Sequence, residues 1–306
     1  MTSNVRTILA ACDFSGNSAQ ATGRAVDLAR RAGARLVLAH VFAPIGSSRV
    51  DFSLLPPEFE ADALRASQER LDSLAAGLRG EGIEVLARVR RGPIVDGLVA
   101  VAADVRADLI VAGAKGQSGL EHVLLGSTAE ALVGRAPCPV LVVHENDVPA
   151  LDPPASILLA TDLSDDVDFV AAEVLRLFGA RGPKGAPIRL RLAHANHVPP
   201  LLQPALRSLT GIDLLAFEHV APHLLAELEP IAERLRGQGF DTSVELREGD
   251  PARSLIELAG VHDVDLVAMA THARSGLSQW LLGSTARRVV QHAPCPVLAV
   301  RRPEKA

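Results

Sequence analysis

Short, almost wholly apolar runs recur along this chain, separated by longer stretches in which apolar residues return every three or four positions. Residues 7–11, 35–41, 85–90, 108–112 and 139–143 are the short runs. Their length and composition suit strands, most of them buried on both faces, with 85–90 alternating. A helix is predicted from about Ser18 to Ala32, opened by the turn and capping residues 13–18 and stopped at Gly33. A second, over 58–79, sets Leu64, Leu71, Leu74 and Leu78 at helical spacing and ends at Gly80 and Gly82. Gly92-Pro93 opens a third, with proline in its first turn, and a short fourth starts near Ser127. Residues 43–57, with Pro44, Gly46, Pro56 and Pro57, read as a loop.

Strands alternating with helices of this length predict parallel pairing through right-handed crossovers. The expected fold class is α/β, doubly wound. In the strand order 2-1-3-4-5 of flavodoxin-like sheets, a ligand crevice lies where the order reverses. The equivalent arrangement here sets the first and fourth strands side by side, with Asp13 and Gly113 at their carboxyl ends.

After residue 145 the pattern restarts. Residues 156–164 echo 7–15, 190–194 echo 36–40, and Arg247-Glu248-Gly249-Asp250-Pro251 echoes Arg90-Arg91-Gly92-Pro93. Residues 265–269 repeat the fourth strand, while Ser275-Gly276-Leu277, 281–285 and 293–297 match Ser118-Gly119-Leu120, 124–128 and 136–140. Order and spacing agree throughout, which makes this a tandem duplication. The predicted domains are 1–145 and 156–306, joined by a proline-rich linker at 146–155. Each is expected to be a doubly wound, five-stranded parallel-sheet domain, and 306 residues suffice for two such cores.

The fourth strand of the first half leads into Gly113-Ala114-Lys115-Gly116, nine further residues, and Gly126-Ser127-Thr128. Glycines at a strand-to-helix junction allow φ > 0 and close approach to a ligand. Successive backbone N–H groups before a helix N-terminus form an anion site. Composition narrows the ligand. With 48% apolar and 22% charged residues and a net charge of −5, the chain is a globular protein without the basic footprint of a nucleic-acid binder. No apolar run reaches bilayer-spanning length, and the start lacks a signal-peptide core, so the expected location is cytoplasmic, with no membrane partner. Cys12, Cys138 and Cys295 form no close pair, and Cys138 and Cys295, each in a Pro-Cys-Pro step before an apolar strand, read as buried thiols.

The Asp after the first strand (Asp13, Asp162), the G-x2-G-x9-G-[ST] loop and the Pro-Cys-Pro entry to the last strand give both halves their family look. The chain resembles a tandem universal stress protein, with the adenine-nucleotide alpha-hydrolase-like fold of that family. The resemblance implies a stress-response regulator that binds ATP, alone or with Mg2+, hydrolyses it poorly or not at all, and dimerises through its last strands. Two copies in one chain leave open a homo-oligomer or an internal pseudo-dimer through those strands. By the resemblance, Asp13 meets the adenine or ribose end, and Val41 offers backbone hydrogen bonds to adenine. Gly113 and Gly116 admit the ribose and phosphates. Gly126, Ser127 and Thr128 donate to phosphate oxygens, with Ser118 and Lys115 as weaker candidates inside the loop. For Asp13 a helix-capping turn role stands as the alternative.

The second copy departs from this pattern. Ala270 and Ala273 stand where Gly113 and Gly116 stand, and Ala195-Asn196-His197 replaces Val41-Phe42-Ala43. Asp162, Gly283, Ser284 and Thr285 persist as a partial set. One full nucleotide site per chain, in the first half, is therefore expected. His219 and His223 are spaced as metal ligands on a helix, but Pro222 lies between them and no further ligand is near, so no metal site is assigned. No catalytic residue is assigned either. An interaction or scaffold protein whose nucleotide is structural or absent, and a slow nucleotide hydrolase, remain as other readings.

Overall fold

A computed structural model of the chain describes residues 5–43, 58–116, 125–144, 153–164, 166–197, 217–271 and 282–302. The chain divides into two compact units, Met1–Asn146 and Asp147–Glu304. The predicted loop 43–57 and most of the linker 146–155 lie outside the described residues.

In the first unit the strands are β1 (Thr7–Ala11), β2 (Arg35–Phe42), β3 (Val85–Arg91), β4 (Leu109–Gly113) and β5 (Val140–Val143). They form a parallel sheet in the order β3-β2-β1-β4-β5. The order reverses between β1 and β4, as the alternation of elements predicted. Helices α1 (Gly16–Ala32), α2 (Glu58–Gly80), α3 (Ile94–Asp104) and α4 (Ser127–Arg135) make the crossovers. Ile8, Leu9, Leu36, Leu38 and Ile110 are fully buried, as strands covered on both faces require. The helix ends follow from local chemistry. Ser15 caps α1 by accepting a hydrogen bond from the Ser18 N–H, and Gly33 takes the left-handed conformation (φ 61°) that ends it. The start of β1 is pinned from a distance, because the Asp108 carboxylate accepts from both Arg6 N (2.7 Å) and Thr7 N (3.0 Å).

The second unit repeats this plan. Its strands are β6 (Ser156–Ala160), β7 (Arg189–Asn196), β8 (Asp241–Glu248), β9 (Leu266–Ala270) and β10 (Val297–Val300). Within the unit they are ordered β8-β7-β6-β9-β10, again parallel. Its helices are α5 (Asp166–Phe178), α6 (Phe217–Gly237), α7 (Pro251–Val261) and α8 (Ser284–His292). Asp265 pins β6 as Asp108 pins β1, accepting from Ala155 N (2.8 Å) and Ser156 N (2.9 Å). Arg79 and Arg236 close the ends of α2 and α6 alike, donating to the Val85 and Thr242 carbonyls at 2.9 and 3.1 Å.

Core truncation tests this reading. Ile110→Ala and Leu159→Ala, each at a side chain 0% exposed, should each cost about 2–5 kcal/mol in urea denaturation. Val261→Ala, at a residue 75% exposed, should stay within about 0.5 kcal/mol.

Candidate functional site

The carboxyl end of β1 runs into a turn made by Asp13. Its Oδ1 accepts hydrogen bonds from Ser15 N (2.9 Å) and Ser15 Oγ (2.6 Å), an Asx turn. Ser15 Oγ in turn accepts from Ser18 N at 3.2 Å, and Ser18 Oγ accepts from Asp13 N at 3.3 Å. Asp13 thus does serve the capping turn, through one oxygen. The other, Oδ2, faces the glycine loop so closely that a Cβ on Gly116 would lie 2.8 Å from it. Between them Phe14 holds φ +64°, a left-handed conformation that costs a non-glycine residue on the order of 1–2 kcal/mol.

Asn17, in the first turn of α1, is buried and holds the far side of this end of the sheet. Its amide, oriented by its partners, donates to the Val143 carbonyl (3.1 Å) and accepts from the Lys115 N–H (2.8 Å). It also packs on Gly113, where a Cβ would lie 3.1 Å from Asn17 Cγ and 3.2 Å from its backbone. Gly113 is the last residue of β4, paired with Val143. The loop closes when Gly126 N donates to the Ala114 carbonyl at 2.7 Å.

These contacts correct two sequence expectations. Gly113, Gly116 and Gly126 are not among the residues at positive φ. They are glycines because Asn17, Asp13 and the Ala114 carbonyl approach them, not because the backbone needs a left-handed turn. The Gly126 N–H is also spent on Ala114, so it is not a donor to a ligand. The donors that remain are the first-turn amides of α4, at Ser127, Thr128 and Ala129, which have no intrahelical acceptor. Gly126, as N-cap, offers no side chain to satisfy them. Ser118 lies outside the described residues.

Together these groups line a cavity of about 640 Å³ at the carboxyl ends of β1, β2 and β4. Asp13, Val41, Gly113, Gly116, Gly126, Ser127 and Thr128 all reach it. Its apolar wall is Val41, Phe42, Ile94 and Leu98. Val41 fits because α3 carries glycine at position 97, where a Cβ would lie 2.7 Å from Val41 Cγ1. His40 donates from Nδ1 to the Cys12 carbonyl (2.7 Å), and its ring lies 4.7 Å from that of Phe14. Arg70, from α2, sets its guanidinium 4.4 Å from the Phe14 ring centroid. Cys12 is buried at the floor, and burial pushes its thiol up to about 11, with the Asp13 charge adding and a Thr22 hydrogen bond opposing. Sequence reasoning missed Asn17, Phe14, Arg70 and Gly97 as parts of the site. Only Gly97 carried a sequence signal, being an isolated glycine inside a helix.

The second unit keeps part of this frame. Asp162 Oδ1 accepts from Ser164 N (3.0 Å), Leu163 repeats the φ of +64°, and His194 Nδ1 donates to the Thr161 carbonyl (2.9 Å). Gly283 N donates to Thr271 O at 3.1 Å, and α8 again starts on a glycine N-cap without a side-chain bond. The differences lie around it. Ala270 ends β9, and Asp166 stands in the place of Asn17, paired with Arg302 at 3.2 Å. Ala273 lies outside the described residues. Ser284 and Thr285 open α8. His223, the other candidate ligand of the second unit, meets the His219 carbonyl through Nδ1 at 3.3 Å.

A family model described as the universal stress protein family matches residues 4–144 and again 155–301. The chain belongs to the universal stress protein family. A universal stress protein of Mycolicibacterium smegmatis is 29% identical over 299 residues, covering 96% of each chain. Among solved structures, a universal stress protein from Archaeoglobus fulgidus covers 97% of both chains with a TM-score of 0.65 and 18% identity. One from Pseudomonas aeruginosa, described as a putative universal stress protein, covers 98% of this chain and 94% of its own, with a TM-score of 0.63 and 20% identity. The tandem universal stress protein fold read from the repeats therefore holds. Among the described residues no helix is long and apolar enough to cross a membrane.

Two measurements follow from the site's framework. Asn17→Ala strands the Lys115 amide, while the Val143 carbonyl keeps its bond from Ala114 N (2.8 Å), and should cost about 1–3 kcal/mol. Hydrogen exchange at Lys115 should accelerate with it. Cys12 binds its proton more tightly when folded, so its contribution to stability is complete below pH 9 and is lost as pH rises toward 11. Denaturation of wild type and Cys12→Ala across that window should show the alkaline fall shrinking in the variant.

Proposed function

We propose that the first unit binds an adenine nucleotide, ATP or a close relative, and that the protein acts as a stress-response regulator through that occupancy rather than as a catalyst. The observation that carries this reading is the cavity at the β1/β4 reversal, with the uncapped N-terminus of α4 at one end and an apolar wall at the other. Phosphates suit the α4 amides and the Ser127 and Thr128 hydroxyls, where the helix dipole favours negative charge. A base suits the wall of Val41, Ile94 and Leu98. Asp13 lies between, and its Oδ2 suits a ribose hydroxyl or an adenine amine. Among the described residues no group of three His, Cys, Asp or Glu side chains could hold a metal ion. Were Mg2+ bound with the nucleotide, Asp13 is the carboxylate among the described lining residues that could hold it.

We infer a weaker or empty site in the second unit. Gly283 and the first turn of α8 persist, but Ala270 replaces Gly113, and Arg302 binds the carboxylate that stands in for the Asn17 amide.

The test is a negative charge introduced at each helix start. Ser127→Asp sets an anion at the exposed first position of α4. It should weaken ATP binding at least about tenfold in calorimetry, the worth of one charge-assisted hydrogen bond. It should not lower the melting temperature, since an acid there favours the helix by about 0.3–1 kcal/mol. Ser284→Asp should leave stoichiometry at one nucleotide per chain. Wild-type affinity in Ser127→Asp would remove the phosphate end of the assignment.

A further inference from the structure

We propose that Arg70 is a specificity-determining residue of the first unit's site. It leaves its perch on Phe14 to bind the anionic part of the nucleotide, a step that rests on the nucleotide reading above. Three observations converge on it.

The first is its partner. Arg65 of α2 pairs with Asp62 at 3.1 Å, and Arg79 donates to the Val85 carbonyl at 2.9 Å. Arg70, exposed at the cavity mouth, has no ion pair or hydrogen bond among the described residues, only the Phe14 ring at 4.4 Å. An exposed cation–π contact shifts an equilibrium by about two- to fivefold. A hydrogen bond from a guanidinium to a phosphate shifts it by about 10- to 100-fold. The exchange therefore favours the phosphate once one is present.

The second is the charge of the lining. Among the described residues, Asp13, Arg70 and Lys115 are its formally charged side chains. A nucleotide brings several negative charges beside Asp13, and the α4 terminus supplies only about half a positive one. Arg70 and Lys115 are the described cations of the lining that can add to it, and Arg70 has the longer, forked reach.

The third is the repeat. Leu71 and Leu228 are both fully buried, and Arg79 and Arg236 make the same helix-end bond, which aligns α2 with α6. In that alignment Arg70 corresponds to Glu227 and Phe14 to Leu163. The second unit folds with neither the cation nor the ring, and Leu163 keeps the same left-handed backbone. The Arg70–Phe14 pair is therefore not a requirement of the fold.

The experiment titrates the intact chain with adenosine, AMP and ATP, comparing wild type with Arg70→Ala, Arg70→Lys and Arg70→Glu. Arg70→Ala should weaken ATP about 10- to 100-fold, AMP less, and adenosine by no more than about twofold. Arg70→Lys should recover most of the ATP affinity, and Arg70→Glu should fall below Arg70→Ala. The slope of log Kd for ATP against log salt should be shallower in Arg70→Ala. An equal loss for adenosine and ATP would place Arg70 on the base and overturn the proposal, as would unchanged ATP affinity in Arg70→Ala. If Ser127→Asp loses ATP while Arg70→Ala keeps it, the nucleotide reading stands and this one falls. If wild type binds none of the three ligands, both fall. Melting curves of the four proteins should coincide within a few degrees, since Arg70 is exposed.

Discussion

Parallel strands buried on both faces need helices on both faces, and a right-handed crossover fixes which face each helix takes. In the first unit the chain winds from β1 through β2 to β3, then returns to β4 and β5. Winding out in two directions from one pair of strands sends the crossovers of the two directions, α1 and α2 against α3 and α4, to opposite faces. At the reversal no helix covers the strand ends, and whatever the chain places there is exposed to ligand. Asp13, Phe14, the 113–116 loop and the start of α4 are all there for that reason alone. The gap carries its own cost, because the Lys115 N–H lies past the end of β4. Asn17 meets that cost. One buried amide accepts from the Lys115 N–H and donates to the Val143 carbonyl, which also accepts from Ala114 N, and so ties α1 to this end of the sheet.

What could be read from the sequence was what local physics determines. Apolar runs fixed strand positions within a residue or two, Gly33 ended α1 where its side-chain-free backbone could turn left-handed, and the repeats exposed the duplication. The glycine loop was legible as a site but not as a mechanism. A glycine in a sequence signals either backbone freedom or lack of space, and only packing distinguishes them. At Gly113 and Gly116 it was space, taken up by Asn17 and by the Asp13 carboxylate. β4 runs one residue further than its apolar run, because Gly113 still pairs with Val143. Arg70 was illegible for a different reason. On an amphipathic helix an exposed arginine is the default, and nothing local distinguishes one above a cavity from one in open solvent.

The two units, compared position by position, separate what the fold requires from what a ligand would require. Asp108 and Asp265, Arg79 and Arg236, His40 and His194, and the amides of Gly126 and Gly283 make the same bonds in both. Each of these ties backbone to backbone or backbone to side chain, and none depends on a ligand. Even the left-handed residue after the first strand recurs with Leu163 in place of Phe14, so the strained turn belongs to the framework and the aromatic ring does not. Around the site four positions differ: Gly113 to Ala270, Phe14 to Leu163 and Arg70 to Glu227 in the lining, and Asn17 to Asp166 behind it.

Such a pattern has a physical direction. Replacing glycine by alanine at β9 closes space, and turning an arginine into a glutamate at the mouth turns the local field against an anion. Neither change breaks a bond shared by the two units. The Arg302–Asp166 pair then supplies a carboxylate partner at the point where the first unit uses a neutral amide to hold its loop. A carboxylate cannot donate, so it cannot bridge a carbonyl and an N–H as Asn17 does. The second unit therefore lacks the side-chain amide that ties α1 to the ends of β4 and β5 in the first. It keeps the turn that opens its helix, and with it only the part of the cradle that any helix N-terminus provides.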